Sequence, residues 1–174
     1  MSRPAHAACL AGALLCASGA LSAAGPTREH LAPAGWEGSY HQIHYSPVVK
    51  IGERVIVSGI PASVGESEED KIRWVFQQLK LHLETAGASL ADVVELNSVH
   101  VAADHAQFRQ RIDVVLKVHR EFFPDHYPAW TATGTTALFS DGAPMELRAE
   151  AMIGSGKRPL ADIPIPADAA AKDD

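Results

Sequence analysis

Both cysteines of this 174-residue chain, Cys9 and Cys16, fall within its first two dozen residues. Everything that follows is therefore without a disulfide, a thiolate nucleophile or a cysteine metal site. Positive charge is also scarce, with 15 Lys and Arg against 21 Asp and Glu. That balance offers no broad electropositive surface to nucleic acid or to an anionic membrane. Several motifs are missing as well. There is no GxSxG elbow, so Ser58 before Gly59 has no serine-hydrolase setting, and no glycine spacing suits a phosphate loop. Nine histidines are present, but no HExxH or regular Asp/His spacing accompanies them, so no metal site is assigned. Beyond residue 24 no stretch is apolar enough to span a membrane.

What is present begins with an export signal. Arg3 supplies a positive start, Ala7 to Leu21 is small and apolar, and Ser22-Ala23-Ala24 offers small residues for cleavage. Residues 1–24 are read as a signal peptide, which sends the mature chain to the periplasm or the exterior. Cleavage removes one cation and no acid, so 14 Lys and Arg face 21 acids and the net charge becomes −7. Residues 25–39, rich in Gly, Pro and Ala, are expected to run as an extended arm, and residues 40–156 to form one domain. From residue 157 the proline-punctuated, acid-ended stretch offers too little apolar surface to offset ordering entropy and is expected to be a disordered tail.

Inside the domain the hydrophobic period switches repeatedly. Gln42 to Val49 and Arg54 to Ser58 read as strands around a turn at Ile51-Gly52-Glu53. Ser67 with Asp70 makes a capping box, and Ile72, Val75, Phe76, Leu79 and Leu83 recur at helical spacing until Gly87. Val93 to Val101 returns to strand. A second helix starts at Asp104 and is stopped by Pro124, and strands follow at Ala129 to Leu138 and Met145 to Ile153. The order β-β-α-β-α-β-β predicts an α+β fold with a mixed sheet and two helices on one face. The strands are apolar at both parities, as at Val55, Ile56 and Val57, so the second sheet face also calls for cover. Closed self-association is expected to supply it.

Four segments resemble the RidA/YjgF family of reactive-intermediate deaminases, also called endoribonuclease L-PSP. They are HYSPVVKIGERVIVSGI, AGASLADVVELNSVHV, FFPDHYPAW and MELRAEAMI, spread over Tyr40 to Ile153. The resemblance implies a chorismate-mutase-like trimer with small-molecule sites between subunits. It also implies hydrolysis of enamines and imines to a keto acid and ammonia without a cofactor. In those relatives an arginine following Pro-Ala grips the substrate carboxylate; here that position is Trp130. An indole has one neutral N–H where a guanidinium makes two charge-assisted bonds, so the chain is a divergent member.

By the same resemblance Tyr45 lines the cleft, Ser58 and Gly59 bring backbone to the ligand, and Glu146 holds the hydrolytic water. A shifted alignment puts Arg148 in that last role. Trp130 is either an aromatic platform or an interface plug, and Thr131 begins a hydroxyl-rich strand that suits polar ligand groups. His100 and His126 are candidate acids or bases. The expected function is an exported protein that binds a small metabolite in intersubunit clefts, as a non-standard hydrolase or a binding module. One rival is an enamine/imine deaminase in which Arg148 recognises the carboxylate. The other is a non-catalytic, chaperone-like or partner-binding protein. Neither nucleic acid nor membrane is an expected partner after the signal is removed.

Overall fold

A computed structural model describes residues 25–157 together with Ile163, Pro164 and Pro166. The expected signal peptide and nearly all of the expected tail lie outside the described residues. Within them the chain runs β1 (Arg28–Leu31), α1 (Glu37–His41), β2 (Val48–Ile51), β3 (Arg54–Pro61), α2 (Glu68–Thr85), β4 (Val93–Val101), α3 (His105–Phe122), β5 (Ala129–Thr135) and β6 (Met145–Met152). Six strands form one sheet in the order β1-β2-β3-β6-β4-β5. Only β4 and β5 pair in parallel, because the crossover through α3 brings the chain back in the same direction.

Local signals set the element ends. Gly52, at φ 59°, opens the two-residue turn between Ile51 and Arg54, which are register partners in the β2–β3 hairpin. Ser67 caps α2 by accepting from the Asp70 backbone while Asp70 accepts from the Ser67 backbone. Asp104 caps α3 through the Gln107 N–H. Helix stripes then do the burying: Ile72, Val75, Phe76, Leu79 and Leu83 of α2 meet Val115 and Val118 of α3 over the sheet. Burying each such side chain contributes about 1.5–3 kcal/mol before entropy is counted. Arg73, bonded to Glu69 and Glu121, ties the outer edges of the two helices together.

The N-terminal stretch departs from the expected arm. Residues 28–31 pair with β2 as an edge strand, and α1 crosses the expected boundary at residue 39. The reason lies in long-range contacts. Trp36 stacks on Trp74, meets His82 edge-on at 4.7 Å, and donates its Nε1 hydrogen to Gln78 Oε1. All three partners sit on α2, so one indole pins the segment to the core. Residues 42–47, expected as strand, are a bend instead, and the strand begins at Val48.

Strand alternation separates the two sheet faces. Val55, Val57, Ile60, Leu96, Leu147 and Ala149 are all buried beneath the helices. The opposite parity is left without helices, but it is mixed rather than apolar as expected. Half-buried Ile56, Val99 and Val101 share it with Glu95, Asn97, Glu146, Arg148 and Glu150.

Candidate functional site

The most distinctive point on the uncovered face is an irregularity in β3. Pairing with β6 is regular from Arg54 to Val57 and resumes at Ile60, so Ser58 and Gly59 together oppose Arg148. Such a bulge bends a strand and re-aims its groups. Glycine leaves room here for its neighbour. A Cβ on Gly59 would collide with Glu146 Oε1 and lie 2.5 Å from Glu146 Cδ, so the carboxyl group as placed occupies space that any larger residue would make it leave.

Glu146 has unusual surroundings for an acid. It pairs with Pro61 on β3 and Val99 on β4, and among the described residues no side-chain hydrogen bond or ion pair reaches its carboxyl. Burial pushes its carboxyl above the usual carboxylate range. Arg148 lies two residues on, along the same face, yet turns the other way and binds Glu150 at 2.7 Å. Glu150 also takes Arg54 at 2.7 Å, and that doubled pairing holds its own carboxyl below the usual range. The arginine nearest Glu146 is thus committed elsewhere.

Tyr45 and Ser58 are drawn to the same corner through the backbone. His44 takes a left-handed conformation, φ 67°, which histidine tolerates better than most side chains. The turn lets the Tyr45 N–H donate to the Ser39 carbonyl at 3.0 Å. Ser58 donates its hydroxyl to the Ser46 carbonyl at 2.7 Å and its N–H to Pro47. Its side chain therefore fastens the Tyr45–Pro47 bend to β3.

Trp130 lies on the other face. Its register partner on β4 is Leu96, a core residue under the helices, whereas Thr131 pairs with Asn97 on the uncovered side. The indole stacks on His119 of α3 at 5.8 Å and 11° and donates its N–H to Ser98 Oγ at 2.8 Å. Because indole can only donate, Ser98 accepts there and is free to give its own hydrogen to His100 Nε2, also at 2.8 Å. His100 is fully buried against Phe108, so it is a core residue rather than a solvent-facing base. Burial, helped by the Arg111 charge, lowers it to about 4. His126 likewise packs edge-on against Phe123. Within one chain, then, Gly59 and Glu146 come together, Ser58 beside them ties in the bend that carries Tyr45, Arg148 borders them, Thr131 shares the face of Glu146 two strands away, and Trp130 is apart from them.

A cavity of about 480 Å³ lies on the helix side where β4 ends and β6 begins, between the start of α2 and the loop 136–144. None of the expected site residues lines it. Its arginine, Arg111, is already paired with Glu68, and its lysine, Lys71, bonds the Gly142 carbonyl.

Residues 39–153 match the model of the family described as Endoribonuclease L-PSP. The chain belongs to this family. The L-PSP-family chain is 32% identical over 111 residues to the RutC family protein YjgH of Escherichia coli K12, across 61% of its own length and 82% of that protein. Among solved structures, Rv2704 from Mycobacterium tuberculosis, described as a member of the YjgF/YER057c/UK114 family, superposes with a TM-score of 0.62 at 28% identity, over 73% of this chain and 100% of that one. RidA from an Antarctic Psychrobacter gives 0.56 at 28% identity, over 63% and 88%. The α+β YjgF fold expected from the sequence is therefore the fold of this L-PSP-family chain.

The residues not foreseen are those that long-range packing recruits. Ser98 carried a signal, since a polar residue stood at the core parity of β4, but its partner Trp130 is 32 residues away. Asp92 carried one too, three residues after Ser89 in the same Ser-x-x-Asp pattern as Ser67 and Asp70, but the pattern says nothing of Gly154 and Gly156. It is buried at the end of a three-residue turn and accepts from the Ser89 hydroxyl and from the N–H groups of Ser89, Gly154 and Gly156.

Proposed function

We propose that this L-PSP-family protein acts outside the cytoplasm, after loss of residues 1–24, as a homotrimer that binds a small metabolite between subunits and hydrolyses a C=N bond there. The observation that carries this reading is the half-buried Glu146 carboxyl, seated on Gly59 with no cation beside it. Hydrolysis of an imine needs a group of that kind. The carboxylate takes a proton from water as the water oxygen bonds the imine carbon, the C=N pair of electrons moves to nitrogen, and Glu146 passes that proton on to nitrogen. Collapse of the resulting carbinolamine expels ammonia or an amine and leaves the carbonyl, so water and the imine account for every atom.

Trimerisation is favoured by the separation of the two halves. Trp130 and Glu146 are two strands and three residues apart, on the order of 14 Å along the sheet, and on opposite faces. A second copy, bringing its β5 edge against the uncovered face, would let Trp130 or Thr131 complete a hollow begun by Tyr45, Gly59 and Glu146. The test measures oligomeric state by sedimentation and imine hydrolysis by carbonyl release, for wild type and Glu146→Gln. A trimer whose rate acceleration disappears in the folded variant supports the reading; a monomer, or equal rates in the two proteins, sinks it.

One observation favours a second reading. Arg148 stands on the same face as Glu146, and Glu150 would still hold Arg54 if Arg148 let go. An enamine/imine deaminase of carboxylate-bearing substrates would use that release, and its ammonia yield from freshly generated 2-aminoacrylate would vanish in Arg148→Ala.

A further inference from the structure

The uncovered face carries few cations. Arg54 and Arg148 are both held by Glu150 at 2.7 Å. Glu95 stands opposite Glu150 in the β4–β6 register and accepts from Asn97 at 2.8 Å, which offsets the one positive charge left over by the Arg54–Glu150–Arg148 group. Arg28, in register with Ile51 on the β1–β2 pair, is at the far margin of the sheet. Around Gly59, among the described residues, the carboxyl group that lacks a side-chain partner is that of Glu146, and its register neighbours are the nonpolar Pro61 and Val99.

This arrangement bears on which molecule can sit there. A ligand carboxylate next to Glu146 would face a like charge in a poorly solvated corner, and it could gain a guanidinium only by drawing Arg148 off Glu150. A protonated nitrogen would meet the opposite situation. It would give Glu146 the charge-assisted bond that the protein withholds, and an amidine-like group would match both carboxylate oxygens. The indole at residue 130 adds no positive charge from a neighbouring copy, and its N–H is already spent on Ser98.

We infer that the ligand presents a cationic, hydrogen-bond-donating nitrogen to Glu146 and carries no carboxylate, the class being protonated imines, amidines or amines. The inference rests on the site proposed above and names its substrate class.

The experiment compares benzamidine with benzoate, two probes of like shape and opposite charge, on the full-length mature protein. Isothermal titration gives the affinities, and the Gly59 amide resonance reports whether binding is at this corner. Benzamidine is expected to bind more tightly than benzoate by roughly tenfold or more, the equivalent of one charge-assisted bond, and to weaken by a similar factor in Glu146→Gln. The wild-type comparison stands by itself if that variant fails to fold. Benzoate binding as tightly as benzamidine, moving Gly59 and being lost in Arg148→Ala, would overturn the charge assignment while keeping the site. If neither probe moves the Gly59 resonance, the site and the inference fall together.

Discussion

Acid should destabilise this protein in part through one buried side chain. His100 has no exposed surface, and burial with the Arg111 charge lowers it to about 4, against 6.5 for the same group in an unfolded chain. The folded state therefore keeps His100 neutral while the unfolded state takes up a proton, so stability is intact above pH 6.5 and is lost as pH falls from 6.5 towards 4. Linkage over that window gives about 2–3 kcal/mol between pH 7.5 and 4.5, since each unit is worth on the order of 1 kcal/mol. His100→Gln removes the titration while leaving an amide that can still meet Ser98. Urea unfolding of both proteins at fixed protein concentration, repeated across that range, should show the wild type losing about 2–3 kcal/mol more than the variant. His82 and His119, both lowered chiefly by burial, act in the same direction, and Glu146, raised by burial, acts in the other. They are common to both proteins and cancel in the difference. Parallel pH profiles for wild type and variant would refute the reasoning.

Three further outcomes are expected. Gly59→Ala should push the Glu146 carboxyl out of its seat, and carbon-detected titration should then find its pKa moved down towards the ordinary range; an unmoved titration would mean that the glycine does not hold the acid in place. Ser98→Ala strands the half-buried Trp130 N–H and should cost about 1–2 kcal/mol in urea unfolding, with a red-shifted Trp emission as the indole finds water. Asp92→Ala removes the acceptor shared by Ser89, Gly154 and Gly156, so hydrogen exchange should quicken at Gly154 and Gly156 first, while the α2 core stays protected.

The parts of the site that could be read in advance are those fixed by near neighbours. The bulge at Ser58-Gly59 is of that kind, whereas Glu146 entered as the acid of the last strand through the family resemblance, with Arg148 as its alternative. The role of Trp130 was less so, even though one consideration was available. Adjacent residues of a strand point to opposite faces, so Trp130 and Thr131 could not both line one wall within a single subunit. The pairing that decides which of them faces the helices, Trp130 with Leu96, joins segments more than 30 residues apart. Arg148 poses the same problem in miniature. Glu146 and Glu150 are equally near to it along the strand, and the choice of Glu150 goes with Arg54 arriving from β3.

By itself the sequence determined what hydrogen-bond rings and side-chain periods of a few residues control: the Ser67 and Asp104 caps, the buried stripes of α2 and α3, the strand phases and the stop at Pro124. Tertiary structure alone decided which parity of the sheet the helices cover, that the arm folds back through Trp36 onto α2, and that Glu146 rests on Gly59 without a counter-charge. The physical reason is range. Caps and amphipathic periods are settled within one or two turns of chain, whereas burial, strand register and the partner of a charge depend on segments that meet only after the core has closed.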